Sequence, residues 1–431
     1  MFNRCLFLFV VALFLFLTAC SVDSPTQHKL VKYKGKTSTN EHSEVDQTDT
    51  LTIWTPDNSF DSVVERFNQT YPNVTVEVVV VEQDELVTKY KESILNKETP
   101  DLFMIPTRYL GEFSGITGLE DLSDPAYTKT DIVEHIPDAL LDRNKTISDQ
   151  RLYAFPIWVF PLVTYYRADI LEAQGFPSEP DELATYMESM DNWLNMAEKL
   201  KEEGHFLLEY PQSLLSALDT SSYQFDKELN YRRDTTAFRN AMEVAKVSQE
   251  KGLTLNNTIW SEEGQQALQD GKLVMVFQPS YGHDLLMDWL PEQSGKWRAT
   301  KLPFGHLGSD QQVGKHLAIA SDSNNKQLAW QFIQIASGDM MYMYMGDNRK
   351  PYFAEQDLNG LYMELLRAEV PGLSTPLDHY ADEVWELNLY KLSTGTPASQ
   401  DLFMKIEKDI NDKIRVDKRA IENLLDIEID E

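Results

Sequence analysis

Few residues in this 431-residue chain are placed for covalent or metal chemistry. Its only thiols are Cys5 and Cys20. Cys5 lies inside an apolar N-terminal run, CLFLFVVALFLFLTA, and Cys20 follows that run directly. If the run is removed, Cys20 is left alone, which excludes an intrachain disulfide, a cysteine zinc site and thiol catalysis. No Gly-x-Ser-x-Gly elbow, His-Glu-x-x-His pair or Walker lysine loop occurs. The stretch HDLLMD offers His283, Asp284 and Asp288 without a metal-ligand pattern. Tyr165 and Tyr166 are adjacent, and neighbours on a strand point to opposite faces, so they do not converge on one ion. Carboxylates are too numerous for an acid–base pair to stand out. No catalytic residue, cofactor or metal site is therefore expected, and what remains is recognition chemistry.

The thiol of Cys20 has a different use. The run before it follows one positive charge at Arg4, has the length of a signal-peptide h-region, and falls short of the roughly 20 residues of a spanning helix. Leu17-Thr18-Ala19-Cys20 resembles a bacterial lipobox. Small residues fit a peptidase groove, and a thiol is the nucleophile that takes up a diacylglyceryl group. The expectation is a signal peptide over 1–19 and a lipidated Cys20 as the mature amino terminus. A second acyl chain would make that anchoring firm. An ordinary secretory signal with a chance cysteine is the competing reading. Residues 20–50 contain almost no large apolar side chains and read as a lipid-anchored flexible tether.

Acidic residues number 69 against 39 basic, a net charge of −30. Phosphate binding needs a basic footprint, so nucleic acid is not an expected partner. The same charge discourages adhesion to anionic lipid, leaving the acyl group as the membrane link.

From Leu51 the pattern is α/β. LTIWT (51–55) is a short strand stopped by Pro56-Asp57-Asn58. Phe60, Val63, Val64 and Phe67 form one helical face. NVTVEVVVV (73–81) and DLFMI (101–105) are further strands, with a helix marked by Leu86, Val87, Tyr90 and Ile94 between them. This alternation predicts a parallel sheet with covering helices. Further along, helices are expected to end at Gly204 and Gly252, each a natural left-handed terminus. Ser261 is placed to cap a helix that stops at Gly271. LVMVF (273–277) and HLAIA (316–320) are strands, and KQLAWQFIQIAS (326–337) is a helix closed by Gly338. Trp54 and Trp330 read as core. This much α/β material suggests two lobes, and ligand sites lie where such lobes meet.

The order of segments resembles the family 1 extracellular solute-binding proteins, the maltose-binding-protein-like receptors of ABC importers. TPDLFMI (99–105) is similar to the strand that brings ligand contacts to the cleft. LYAFPIWVFPLVTYYRADILEAQGF (152–176) is similar to the hinge crossing and its following strand and helix. WSEEGQQALQDGKLVMVFQPSYG (260–282) is similar to the helix, strand and aromatic loop. Residues 296–338 are similar to the return segment, and GDNRKPYFAEQDL (346–358) follows in place. PSEPDELATYMESMDNWLNMAEKL is longer than the corresponding stretch of the family, with Trp193 displaced, so the second lobe is expected to be decorated there.

The resemblance implies a two-lobed periplasmic-binding-protein-like fold with a hinge and an inter-lobe cleft. Lobe 1 would comprise 51–157 with 313–357, and lobe 2 would comprise 158–312 with 358–431. It also implies a monomeric receptor, anchored at the extracellular face of the cell membrane, that passes a mono- or oligosaccharide to permease subunits. Sugar ring faces want flat aromatics, and hydroxyls want planar polar groups. The implied platforms are Trp158, Phe160, Tyr281 and Tyr380. The implied polar contacts are Asp57, Asn58, Thr107, Arg108, Lys315 and His316. Structural readings compete: Trp158 as hinge packing, Tyr380 on a helix face with Trp385 as core, Asp57 and Asn58 as helix caps, Arg108 as a surface cation, and His316 as a satisfied strand-end polar group. A sensor that presents ligand to a membrane receptor, or a metal or polyamine receptor of the same fold, shares these features.

Overall fold

The computed structural model describes residues 30–34, 49–128, 136–369 and 372–425. The expected signal peptide, Cys20 and most of the expected tether lie outside them. Nine strands are described: β1 Leu30–Lys34, β2 Thr50–Thr55, β3 Thr75–Val80, β4 Leu102–Pro106, β5 Phe155–Trp158, β6 Leu162–Arg167, β7 Met275–Pro279, β8 Trp297–Thr300 and β9 Lys315–Ile319. They form two sheets, one in the order β1-β3-β2-β4-β9-β5 and one in the order β7-β6-β8.

The first sheet follows the alternation of the sequence. β3, β2 and β4 are parallel neighbours, and β9 joins antiparallel between β4 and β5. Leu51, Ile53 and Thr55 of β2 point inward while their neighbours are partly exposed. The helix Asp61–Thr70 buries Val63, Val64 and Phe67, and the helix Leu86–Asn96 buries Leu86 and Tyr90. Each such side chain contributes roughly 1.5–3 kcal/mol by leaving water. All five residues of β4 are buried, as befits a central strand covered on both faces. Trp330 is buried as expected, while Trp54 is only partly buried against a smaller cluster around Tyr90 and Phe103.

Two expectations need correction. The stretch read wholly as tether contains β1, which pairs antiparallel with β3 and sets Val31 opposite Val78 and Tyr33 opposite Val76. The open edge of β3 presents unpaired backbone groups, and five residues suffice to cover it. Composition averaged over 20–50 hides so short a strand. The helix starting at Lys326 also does not stop at Gly338 but runs to Met345. Met340 and Tyr344 beyond the glycine are buried, and that packing outweighs the roughly 1 kcal/mol that glycine costs a helix interior.

The other punctuation behaves as read. Gly252 ends the helix Thr236–Lys251 with φ 62°, Gly204 has φ 82° just past the helix Met190–Glu202, and Ser261 accepts a hydrogen bond from the Gly264 amide. The longer segment after Gly175 folds as two helices, Pro180–Met187 and Met190–Glu202, with Trp193 fully buried in a core that also holds Leu183, Phe238 and Trp385. Thr300 Oγ1 donates to Pro180 O at 2.6 Å, tying this addition to β8. The helices Asp378–Ser393 and Gln400–Leu424 share a core with Thr236–Lys251. The helix Leu358–Ala368 packs instead in a core that holds residues of both sheets, and its Tyr362 hydroxyl meets Tyr165 of β6 at 2.8 Å.

Two segments cross between the sheets: 159–161, from β5 to β6, and 301–314, from β8 to β9. They run side by side. Asp310 N donates to Phe160 O at 2.8 Å, and Leu162 N donates to Gly308 O at 3.0 Å. Gly308 is required here, because a Cβ would overlap the Ser221 carbonyl oxygen.

Candidate functional site

The wall contributed by the first sheet forms where β2 ends and β9 begins. Ser59 N donates to Asp57 Oδ1 at 3.0 Å, folding the turn after Thr55 back on itself. Lys315 Nζ reaches Asp57 Oδ2 at 2.6 Å and Ser59 Oγ at 2.7 Å, and lies 4.9 Å from the centre of the Trp158 ring. Trp158 in turn stacks on Phe60 at 5.5 Å. Partial burial pushes the Asp57 carboxyl up, but Lys315 and Ser59 outweigh it and hold the group below its ordinary value. Asp57, Trp158 and Lys315 are therefore brought together, and Asn58 stands exposed beside them.

Thr107 and His316 lie deeper. Thr107 N donates to Gly314 O at 2.9 Å, and its hydroxyl is 3.0 Å from His316 Nε2. His316 is wholly buried, and desolvation, with Arg143 second, pushes it well below the usual histidine range. The pair braces the start of β9 from inside. Arg108 lies over the Tyr109 ring at 5.0 Å and reaches Gln312 at 3.4 Å and Glu386 at 3.9 Å, spanning from the end of β4 to the crossing and the helix Asp378–Ser393. Tyr380 is not brought to this group. It sits against His379 and Lys413, packed with the C-terminal helices.

The opposite wall forms at the crossings. Phe160 and Tyr281 meet edge-on, with centroids 5.3 Å apart at 85°. Their backbone neighbours share one clamp. Tyr344 donates to Val159 O at 2.9 Å, and its hydroxyl lies 2.8 Å from Ser280 Oγ. Tyr165 donates to Ser280 O at 2.8 Å. Tyr344 comes from the helix Lys326–Met345 and Ser280 follows β7, so this buried hydroxyl ties the ring pair to both elements. A second knot ties the crossing elsewhere. Arg143 pairs with Glu369, both buried, and Ser309 Oγ donates to Glu369 Oε2 at 2.6 Å. Tyr223 of the second lobe also reaches Glu369.

Beside Tyr281 opens a cavity of 370 Å³ lined by Glu209, Gln212, Trp260, Gln278 and Asp310 among others. Trp260 is 60% exposed and touches Trp289 edge-on at 5.3 Å. Glu209 and Asp310 are pushed up by burial, with backbone amides of Ile259 and of Gln312 and Val313 respectively opposing the shift. The Tyr281 phenol is raised by burial first and then by Asp310 beside it. Sequence reasoning missed these lining residues. Trp260 alone left a signal, a large aromatic just before the Ser261 cap and outside any apolar periodicity. A larger cavity of 630 Å³ lies between the end of Thr236–Lys251 and the turn at 393–398, and touches neither crossing. Among the described residues no group of three or more His, Cys, Asp or Glu is placed to hold a metal ion.

The fold has known counterparts. The family model described as bacterial extracellular solute-binding protein matches residues 54–341. Among solved structures, the galacto-N-biose-/lacto-N-biose I-binding protein of an ABC transporter from Bifidobacterium longum, in complex with lacto-N-biose, aligns with TM-score 0.65 at 17% identity, covering 86% of this chain and 98% of that one. The sugar-binding protein MalE from the phytopathogen Xanthomonas citri aligns with TM-score 0.62 at 17% identity, over 85% and 98%. The GacH receptor of Streptomyces glaucescens, solved unliganded and with acarbose, aligns with TM-score 0.60 at 17% identity, over 89% and 100%. At such identity these likenesses speak for the fold: two α/β lobes joined by crossing strands.

Proposed function

Because the chain belongs to the bacterial extracellular solute-binding protein family, a family of transport receptors and not of enzymes, we propose that it captures a carbohydrate between its lobes and delivers it to the permease of an ABC importer. The observation that carries the carbohydrate reading is the aromatic and polar cavity at the crossings, with Tyr281 and the exposed Trp260 on its wall beside Glu209, Gln212 and Asp310. Flat rings match the apolar faces of a pyranose, and planar polar groups match its hydroxyls. The three solved relatives named above are described as sugar-binding or as complexes with sugars, in support.

In this reading lobe 1 is 51–157 with 313–357, extended by β1 and by Trp158, which ends β5 of the first sheet, and lobe 2 is 159–312 with 358–431. Asp57, Asn58, Trp158 and Lys315 form one face of the cleft, and Phe160 and Tyr281 the other. Ligand contacts to both faces favour the closed form. A micromolar ligand supplies about 8 kcal/mol, enough to drive closure when the open form leads by a few kcal/mol. Cys20 carries the lipid that holds the monomeric receptor at the outer face of the membrane.

The test is a thermal-shift screen of the full-length protein in detergent against mono-, di- and oligosaccharides, with amino acids, polyamines and metal ions as controls. A ligand at about 100 times its dissociation constant adds about 2.7 kcal/mol, a readable shift. A response confined to the controls overturns the carbohydrate assignment.

A further inference from the structure

The charge on the cavity wall narrows the sugar, on the premise that the site is the carbohydrate site proposed above. Two carboxylates, Glu209 and Asp310, line the 370 Å³ cavity, and its lining includes no lysine, arginine or histidine. Both carboxylates are substantially buried. Glu209 accepts from the Ile259 amide at 2.6 Å, and Asp310 accepts from the Gln312 amide at 2.7 Å. Such neutral donors stabilise a carboxylate only in part, and neither carboxylate is in an ion pair among the described residues. Gln212, nine-tenths buried on the same wall, has a side-chain oxygen with no hydrogen-bond partner. The wall therefore carries two carboxylates and no cation among neutral hydroxyl, amide and indole groups.

Cations at the crossings are already engaged, Lys301 by Glu364 and Arg143 by Glu369. Lys315 is held by Asp57, Ser59 and the face of Trp158, and Arg108 by Gln312 and Glu386. A uronate would thus bring a third carboxylate to a wall with no counter-ion. An ammonium group brings three donors and the missing positive charge, and its hydrogen bonds to carboxylates are charge-assisted. Trp260 and Tyr281 on the same wall favour a cation further through their ring faces. We propose that this cavity takes a sugar unit bearing a protonated amine, an amino sugar, in preference to its neutral, N-acetylated or acidic counterparts.

The experiment is calorimetric titration of the full-length protein in detergent. Matched sets are used in the gluco, galacto and manno series: the hexose, the 2-amino-2-deoxyhexose, its N-acetyl derivative and the uronate, together with the β-1,4-linked glucosamine dimer and its diacetyl form. The N-acetyl member keeps the bulk and removes the charge. We expect one amino sugar to bind at least 10-fold tighter than both its neutral and its N-acetyl partner, with the uronate weakest. Glu209→Gln and Asp310→Asn should each lower the ratio of amino to neutral affinity, and the double variant should bring it near one. The ratio reads selectivity even where a variant weakens all binding. If neutral or N-acetyl sugars bind as tightly as the amine, the inference falls while the receptor reading stands. If no sugar binds and a polyamine or metal does, both fall.

Discussion

On the first wall one lysine satisfies a carboxylate, a hydroxyl and an aromatic face at once, whereas on the second wall two carboxylates line a cavity of 370 Å³ without a cation. The first wall is complete before any ligand arrives, and its groups hold one another in place at 2.6–2.7 Å. The second is incomplete, and desolvation raises both of its carboxylates. A wall that is already paired offers shape and rigidity. A wall that is unpaired has interaction energy left for what enters.

Breaking the crossing that both walls share should give the largest effect. Arg143→Ala leaves the Glu369 carboxylate buried and unpaired, and unfolding free energy should fall by about 3–5 kcal/mol in denaturant titration. A loss under 1 kcal/mol would show that the knot does not hold the lobes. Next, Tyr281→Ala should weaken sugar binding by about 2 kcal/mol, near 30-fold by calorimetry, while the melting temperature moves little because the ring is only partly buried. If affinity is unchanged, the second wall is misplaced.

Lys315→Met tests whether the first wall is self-satisfied. Asp57 is nearly half exposed, so the pair contributes about 1 kcal/mol or less. The sign follows from the depressed Asp57 carboxyl. Its stabilisation is fully present above the ordinary value of 3.8 and is lost as pH falls through the lower folded value. The variant should therefore lose stability at neutral pH and show a shallower acid limb, and an unaltered limb would argue against the pairing. Tyr344→Phe removes one hydroxyl that holds Val159 and Ser280, and should cost about 1 kcal/mol of sugar affinity. In a Tyr281→Ala background it should have no further effect on binding, which a purely structural role would not produce. Trp260→Ala should change stability by no more than about 0.5 kcal/mol, as expected of an exposed ring, and still reduce affinity measurably.

The first wall was legible because its parts lie at the ends of strands with clear periodicity. LTIWT, DLFMI and HLAIA each announce a strand, and Asp57, Thr107 and Lys315 follow or open them. Burial within that wall was not legible. A histidine one residue into a strand reads the same whether it faces a cleft or, like His316, the interior. The second wall was half legible. Tyr281 stands out in a Pro-Ser-Tyr-Gly loop, but Glu209 and Asp310 are separated by a hundred residues and become neighbours of one cavity only through the crossing. Nothing in the pattern of a highly acidic chain marks two carboxylates among 69. Tyr380 is set apart from both walls. Its sequence neighbourhood suited a cleft, while its ring found Lys413 on the next helix.

The short strand β1 carries a mechanical consequence. With the proposed anchor at Cys20, the length of chain free to pay out toward the bilayer is set by where the fold first grips it, and that grip is Leu30 rather than Leu51. The ten residues from Cys20 to Lys29 span at most about 35 Å fully extended, against about 100 Å for the whole segment to residue 50. If Cys20 carries the proposed lipid, the receptor would be moored on a short line by one edge of its first sheet. It would then sweep a thin layer above the membrane, a fraction of a long leash's volume, and its local concentration at the proposed permease would rise accordingly.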